Sequence, residues 1–230
     1  MTNDPKILGI ALIGGVLPAL IWLWFWLRED AEKPEPKGML MLCFLLGMVA
    51  VIFVLPIEKF LQIHISSQEY NILSYASLKE IIKYLAVLIV LFNTSYIKNP
   101  IDYPIYTITA ALGFAALENT FFLIKPLSLD HSTVGLLTSQ LRFLGSTLLH
   151  SVSSGLIGIS LGLSFYLGRF FKKLYLIIGM IAAIALHTAF NFFIIDNNGN
   201  NFLSVFALLW VVTIINMLLI EKLRRMSGEY

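Results

Sequence analysis

The chain has 230 residues, of which 58% are hydrophobic and 13% charged, and its formal net charge is +2. Its mean hydropathy of +0.82 lies far outside the range of soluble domains and excludes a water-soluble globular protein. The basic residues lie between apolar blocks and form no stripe, so nucleic acid is excluded as a partner. Membrane lipids are therefore the expected surroundings of the chain.

Seven apolar segments, separated by short polar stretches, follow one another along the chain. Six of them are close to the ~20 residues that a helix needs to cross a bilayer, and the fifth is longer than a bilayer is thick, so its first turns are expected to project outward. They cover residues about 7–27, 38–57, 76–94, 101–124, 138–168, 173–195 and 201–221. The sequence predicts an all-α fold, a polytopic transmembrane bundle of about seven helices that forms a single integral membrane domain over residues 1–230.

Lysine and arginine are distributed unequally between alternate connections, and the cytoplasmic side of a membrane protein retains the excess. One side would hold Arg28, Lys33, Lys37, Lys98, Arg169, Lys172, Lys173, Lys222, Arg224 and Arg225. The other side would hold only Lys6, Lys59 and Lys125. This distribution predicts that the N-terminus is outside and the C-terminus is cytoplasmic.

Ionisable residues inside the apolar segments are the main functional signal, because a charge at mid-bilayer costs on the order of 2.5–3.5 kcal/mol. The candidates are Glu80, Glu118, His150 and His187, which lie on four different segments. With the predicted orientation and ~1.5 Å of rise per residue, all four can lie in the outer half of the membrane. Their common depth predicts a single polar site.

Helical spacing adds two neighbours to this site. Asn191 follows His187 by four residues, and Lys83 follows Glu80 by three, so each pair shares a helix face. Lys83 can then neutralise or orient the carboxylate of Glu80.

Each candidate also has a structural alternative. A single intramembrane histidine is more often a hydrogen-bonded packing residue than a catalytic one. Asn119, next to Glu118, can simply bridge neighbouring helices, and Arg142 can snorkel to lipid headgroups. We include both as supporting residues of the predicted site.

Two chemistries suit these residue types. Glu118, His150 and His187 match the ligands of a catalytic zinc ion, with Glu80 as the general base toward its bound water. Without a metal, a glutamate and a histidine can activate water while a histidine and Asn191 stabilise the oxyanion. Both routes lead to hydrolysis of an amide bond inside the membrane, and zinc is the one cofactor predicted.

Five motifs occur along the chain in a specific order. They are Arg28–Pro36, Leu78–Lys83, Ala111–Asn119, Arg142 with His150, and His187 with Asn191. In this order and placement they resemble the PrsW-type intramembrane proteases, which are related to the type II CAAX prenyl endopeptidases. The resemblance implies a multi-pass protein of the prokaryotic plasma membrane. It also implies substrates that are single-span membrane proteins, such as anti-sigma factors, cut on the extracytoplasmic side.

One position departs from the family pattern, which opens the third helix with two adjacent glutamates and a lysine three residues after the second. Lys79 replaces the first glutamate, whereas Glu80 and Lys83 match. If the missing glutamate is the base, activity is lost; if Glu80 is the base or a ligand, the machinery survives.

Two other functions therefore stay open. The first is a non-catalytic membrane scaffold or substrate-binding protein on the same fold, since the wider superfamily also resembles a scaffold subunit of gamma-secretase. The second is a small transporter, against which the sequence has no detectable inverted repeat.

Overall fold

The computed structural model describes residues 4–28, 34–91, 96–128, 134–196 and 202–227, without the side chains of residues 134–144, 195, 196 and 202. Within these ranges the fold consists of seven α-helices and contains no strand, which confirms the predicted fold class. The helices are α1 (Pro5–Leu27), α2 (Lys37–His64), α3 (Gln68–Leu91), α4 (Asp102–Ser128), α5 (Val134–Leu163), α6 (Arg169–Asp196) and α7 (Phe202–Met226).

Six of the described helices are long and apolar enough to cross a membrane, α5 over Gly145–Leu163, and α3 is the exception. With 24 residues, α3 has a length of ~36 Å, but it carries Glu69, Lys79, Glu80 and Lys83. Glu80 and Lys83 are nevertheless buried. The helix α3 therefore carries charged side chains into the interior of the bundle.

Several helix boundaries differ from the predicted ones. The helix α2 continues to His64 and α3 begins at Gln68, although the apolar segments end at about 57 and resume at about 76. The helix α5 ends at Leu163, not at 168. Polar residues such as Glu58 and Glu69 end an apolar run without ending the backbone hydrogen bonding of the helix, so hydropathy marks only its apolar part.

The helices α4 and α5 form the centre of the bundle, since 78% of the apolar window of each is buried, against 17% to 28% for α1, α2, α6 and α7. Glycines allow α2 to approach α4 closely. A Cβ added at Gly47 would overlap the carbonyl group of Ala110, and one added at Gly113 would overlap that of Phe44. The backbones of α2 and α4 are therefore in direct contact, as is common where small residues line a membrane helix interface.

The orientation of this bundle in the membrane is a prediction from the distribution of lysine and arginine. A reporter fused after Tyr230 is expected to lie in the cytoplasm, and one inserted in the segment from Asp196 to Asn201 is expected to lie outside. Residues 197–201 and 228–230 are outside the described part of the structure. Alkaline phosphatase and fluorescent-protein fusions measure this directly, and the reverse pattern would place the start of α3 in the cytoplasm.

Candidate active site

Four buried side chains from α3, α4, α5 and α6 meet inside the bundle. They are Glu80, Glu118, His150 and His187, and each is at most 4% exposed. Glu80 Oε1 lies 2.7 Å from His187 Nδ1, and Glu118 Oε2 lies 2.8 Å from His150 Nε2. The two imidazole rings are edge to face, with their centroids 5.0 Å apart. The structure thus brings together the four residues that the sequence singled out.

The site lies farther from the helix ends than the apolar segments predict. Because α3 begins at Gln68, Glu80 is ~18 Å along this helix, near its middle, instead of ~6 Å from its outer end. Glu118 and His187 lie ~15 Å and ~14 Å from the ends of α4 and α6 on the same side of the bundle. Glu80 is therefore nearer the middle of its helix than the apolar segments predict, and the placement of the site in the outer half of the membrane stays a prediction.

Glu80 accepts hydrogen bonds from several elements at once. Its Oε1 accepts from Lys83 Nζ at 2.7 Å and from Ser153 Oγ at 2.8 Å, in addition to facing His187. Its Oε2 accepts from Ser154 Oγ at 2.9 Å. A buried carboxylate is tolerated only when it is paired and hydrogen-bonded in this way. The Lys83 contact follows from helical spacing, whereas the two serines come from α5 and were not predicted to bind Glu80.

These contacts indicate how the ring nitrogens are used. A carboxylate only accepts hydrogen bonds, so His187 Nδ1 donates to Glu80, and His150 Nε2 donates to Glu118. His150 Nδ1 lies 3.3 Å from Lys83 Nζ, which can donate to it. Both nitrogens of His150 are then engaged. Among the described residues, no contact engages Nε2 of His187, which therefore keeps a lone pair.

A cavity of about 400 Å³ adjoins the site. Its polar lining includes Lys79, Glu118, Asn119, His150, His187 and Asn191. Nearer the end of the bundle where α3 and α5 begin, the lining includes the apolar Ile72, Phe122, Pro126 and Ile194. Glu80 and Lys83 do not line the cavity and lie behind its wall. A space of this size, mostly apolar with a few convergent polar groups, is typical of a substrate site.

The predicted catalytic residue Asn191 and the supporting residues Asn119 and Arg142 have different outcomes. Asn191 lines the cavity one helical turn after His187, as its spacing predicts. Asn119 also lines the cavity, and its Nδ2 donates to Thr147 Oγ1 at 2.9 Å, so it bridges α4 and α5. Arg142 is on α5, but its side chain lies outside the described part of the structure.

Two residues of the cavity wall were missing from the predicted site. Lys79 Nζ lies 2.8 Å from Glu118 Oε1 and 3.1 Å from Glu58 Oε1. The Glu58 contact has the distance of an ion pair but not the angles of a hydrogen bond. Sequence analysis identified Lys79 only as a departure from a family pattern. It missed Glu58 because this residue lies just past the predicted end of the second apolar segment.

The donor types at the site fit a zinc ion. Among the described residues, Glu80, His150 and His187 form a group whose ligand atoms lie within 4.8 Å of one another. Two histidines and a glutamate are a ligand set of catalytic zinc. The compact group contains Glu80 where the sequence suggested Glu118, which contacts His150 from the cavity side. Lys83 Nζ lies beside Glu80 and His150, so this ammonium would have to move or lose its charge when a metal binds.

Comparison with known proteins identifies the family of this chain. The sequence model of the "PrsW family intramembrane metalloprotease" matches residues 35–219. The Protease PrsW of Oceanobacillus iheyensis is 30% identical over 79% of this chain and 81% of its own length. That of Shouchella clausii is 24% identical over 94% of this chain and 96% of its own.

A third relative, the Protease PrsW of Geobacillus kaustophilus, is 29% identical over 48% of this chain. That match spans half the length of the relative. No solved structure matches the chain. The family match covers most of the chain, including all four buried residues of the site, and the chain therefore belongs to the PrsW family of intramembrane metalloproteases.

Proposed function

We propose that this chain is an endopeptidase of the bacterial plasma membrane that hydrolyses a peptide bond of a membrane-anchored protein near the extracytoplasmic face. The substrate class is a single-span membrane protein, of which an anti-sigma factor is one example. The observation that carries the proposal is the pair formed by Glu80 and His187. Glu80 holds Nδ1 of a histidine that lines a cavity and whose Nε2 has no hydrogen-bond partner among the side chains that the structure describes.

His187 acts as the general base in this proposal. Its Nε2 accepts a proton from a water molecule in the cavity as that water attacks the scissile carbonyl carbon, and it then returns the proton to the leaving amine. Glu80 keeps the ring oriented and balances the charge of the imidazolium, as the carboxylate of a catalytic triad does. The side-chain amide of Asn191, one turn away, is placed to donate a hydrogen bond to the oxyanion.

Glu118 and His150 contribute a second pair to the same cavity. Both nitrogens of His150 are engaged, so we assign it to orienting the water and the scissile segment and not to taking the first proton. The four hydrogen-bonding partners of Glu80, together with its place behind the cavity wall, favour the orienting role over that of direct base or metal ligand.

Zinc is compatible with the same residues. His150 and His187 would hold it, together with Glu118 as the sequence suggests or Glu80 as the compact group suggests. When bound, the ion would supply Lewis-acid activation of water. With Glu118 as the third ligand, Glu80 would keep the Nδ1 proton of His187 in place, as carboxylates commonly do behind zinc-bound histidines.

Cleavage of a model single-span substrate by the purified protein in detergent tests this function. We expect one cut near the end of the substrate span that faces the cavity, located by mass spectrometry. Elemental analysis before and after chelation, on wild type and His187→Ala, is the control for metal. Wild type that cuts no single-span substrate, with or without zinc, and copurifies with a stable membrane partner would contradict the proposal and favour a scaffold.

A further inference from the structure

Lys79 stands between two carboxylates that come from different helices. Its Nζ lies 2.8 Å from Glu118 Oε1 on α4 and 3.1 Å from Glu58 Oε1 on α2. The side chains of Lys79, Glu58 and Glu118 are 12%, 19% and 5% exposed, so this group is largely withdrawn from solvent. One ammonium thus joins α2 to α4 from its position on α3, at the wall of the cavity.

This ion pair continues into the site. Among the described residues, Glu118 is held by two contacts, with Lys79 on Oε1 and His150 on Oε2. The orientation of Glu118 depends on both of these partners. Since His150 donates to Glu118, a shift of the carboxylate changes the direction and the hydrogen bonding of this imidazole ring.

Glu58, which also lines the cavity, contacts the site through Lys79. A lone ammonium beside Glu118 would be free to follow that carboxylate or to turn toward solvent at the cavity mouth. With Glu58 on its other side, the ammonium is attracted from two directions, which keeps it between α2 and α4. Such attraction is stronger in a partly buried position than at an exposed surface.

We propose that Glu58 and Lys79 form a positioning pair that holds Glu118, and through it His150, in the orientation needed for peptide-bond hydrolysis. This inference rests on the proposed function. It also explains how a lysine can occupy position 79. The carboxylate of Glu58 on α2 balances the ammonium of Lys79. The cavity wall therefore has an acidic side chain in addition to Glu118, even though α3 carries a lysine and not a glutamate at position 79.

A double-mutant cycle between Glu58→Gln and Lys79→Met tests the pair. We expect Lys79→Met to lower kcat for the single-span substrate about 10-fold to 100-fold with little change in KM, as is usual when a residue behind a catalytic group is removed. Lys79→Arg keeps the charge and should stay within about 10-fold of wild type. Glu58→Gln should lower kcat in wild type but have almost no further effect in the Lys79→Met background.

Lys79→Glu gives a second, independent readout. It places a third carboxylate beside Glu58 and Glu118, so we expect it to be less active than Lys79→Met. Adding Glu58→Gln should recover part of this loss, because one of the two facing charges is removed. Lys59→Met, an exposed lysine next to Glu58 in sequence, is the matched control and should leave kcat and KM unchanged. Thermal stability in detergent, measured for every variant, separates a folding defect from a change in kcat.

Two results would overturn this inference: wild-type kcat in a folded Lys79→Met protein, or equal losses from Glu58→Gln with and without Lys79. Glu80→Gln distinguishes this failure from a failure of the proposed function. If Glu80→Gln is inactive while the Glu58 and Lys79 variants behave as wild type, only the positioning role is wrong. If wild type cuts no substrate, the proposed function itself fails.

Discussion

Glu80→Gln is expected to lower kcat/KM for a single-span substrate by about three to four orders of magnitude, as replacement of a triad carboxylate by its amide does. The substitution removes the negative charge that faces Lys83 and that balances a protonated His187 during the reaction. It also replaces one carboxylate oxygen by an NH2 group, which cannot accept the hydrogen bond that Ser153 or Ser154 donates. Initial rates in detergent, with substrate varied, measure the effect on kcat and on KM separately.

Controls for Glu80→Gln separate chemistry from folding. Breaking a buried ion pair by removing one partner typically destabilises a protein by ~3–5 kcal/mol, so melting temperature is measured in parallel. The double variant Glu80→Gln/Lys83→Met removes both charges and should regain stability without regaining activity. Glu69→Gln, at an exposed position of the same helix, should behave as wild type. If Glu80→Gln cleaves as fast as wild type, the assignment of Glu80 to the site is wrong.

His187→Ala is expected to lower kcat by roughly 10²-fold to 10⁴-fold, the usual contribution of a positioned general base. KM should change little, since the residue is 1% exposed and adds little area for substrate binding. Stability should fall less than in Glu80→Gln because Glu80 keeps its contacts with Lys83, Ser153 and Ser154. The measurement is the rate at saturating substrate, together with the melting temperature.

Chemical rescue makes the His187→Ala result specific. The substitution enlarges a cavity that already has about 400 Å³, so added imidazole can reach the position of the lost ring and should restore part of kcat. His64→Ala is the matched control, because His64 is exposed and its Nδ1 bonds to the carbonyl of Phe60 in its own helix. Full activity in His187→Ala without imidazole would exclude His187 as the base and as a necessary metal ligand.

Helix number and class were predictable because the bilayer imposes a simple rule. Every spanning segment needs about 20 apolar residues whose backbone groups are satisfied within the helix, so hydropathy reports six of the described helices almost directly, and the charged helix α3 is the exception. Helix ends were less predictable. Glu58 lies inside α2 and Glu69 inside α3, but both are charged, and hydropathy cannot distinguish a polar helical turn from a loop.

The candidate residues were predictable from the free-energy cost of placing an ionisable side chain inside a membrane, because such a group needs a partner or a function. They are Glu80, Glu118, His150 and His187. Their pairing was not predictable. Which carboxylate meets which histidine depends on how four helices rotate and cross, and these angles follow from packing contacts such as those of Gly47 and Gly113.

The amino-acid pattern alone was sufficient to identify a polytopic helical membrane protein and four buried side chains that meet in one polar cluster, those of Glu80, Glu118, His150 and His187. It could not show that Glu80 lies behind the cavity wall and orients His187, or that Glu58 balances Lys79. The physical reason is the range of the interactions. Hydropathy and helical spacing are local properties of consecutive residues, whereas these contacts join residues of different helices and exist only when the helices are packed.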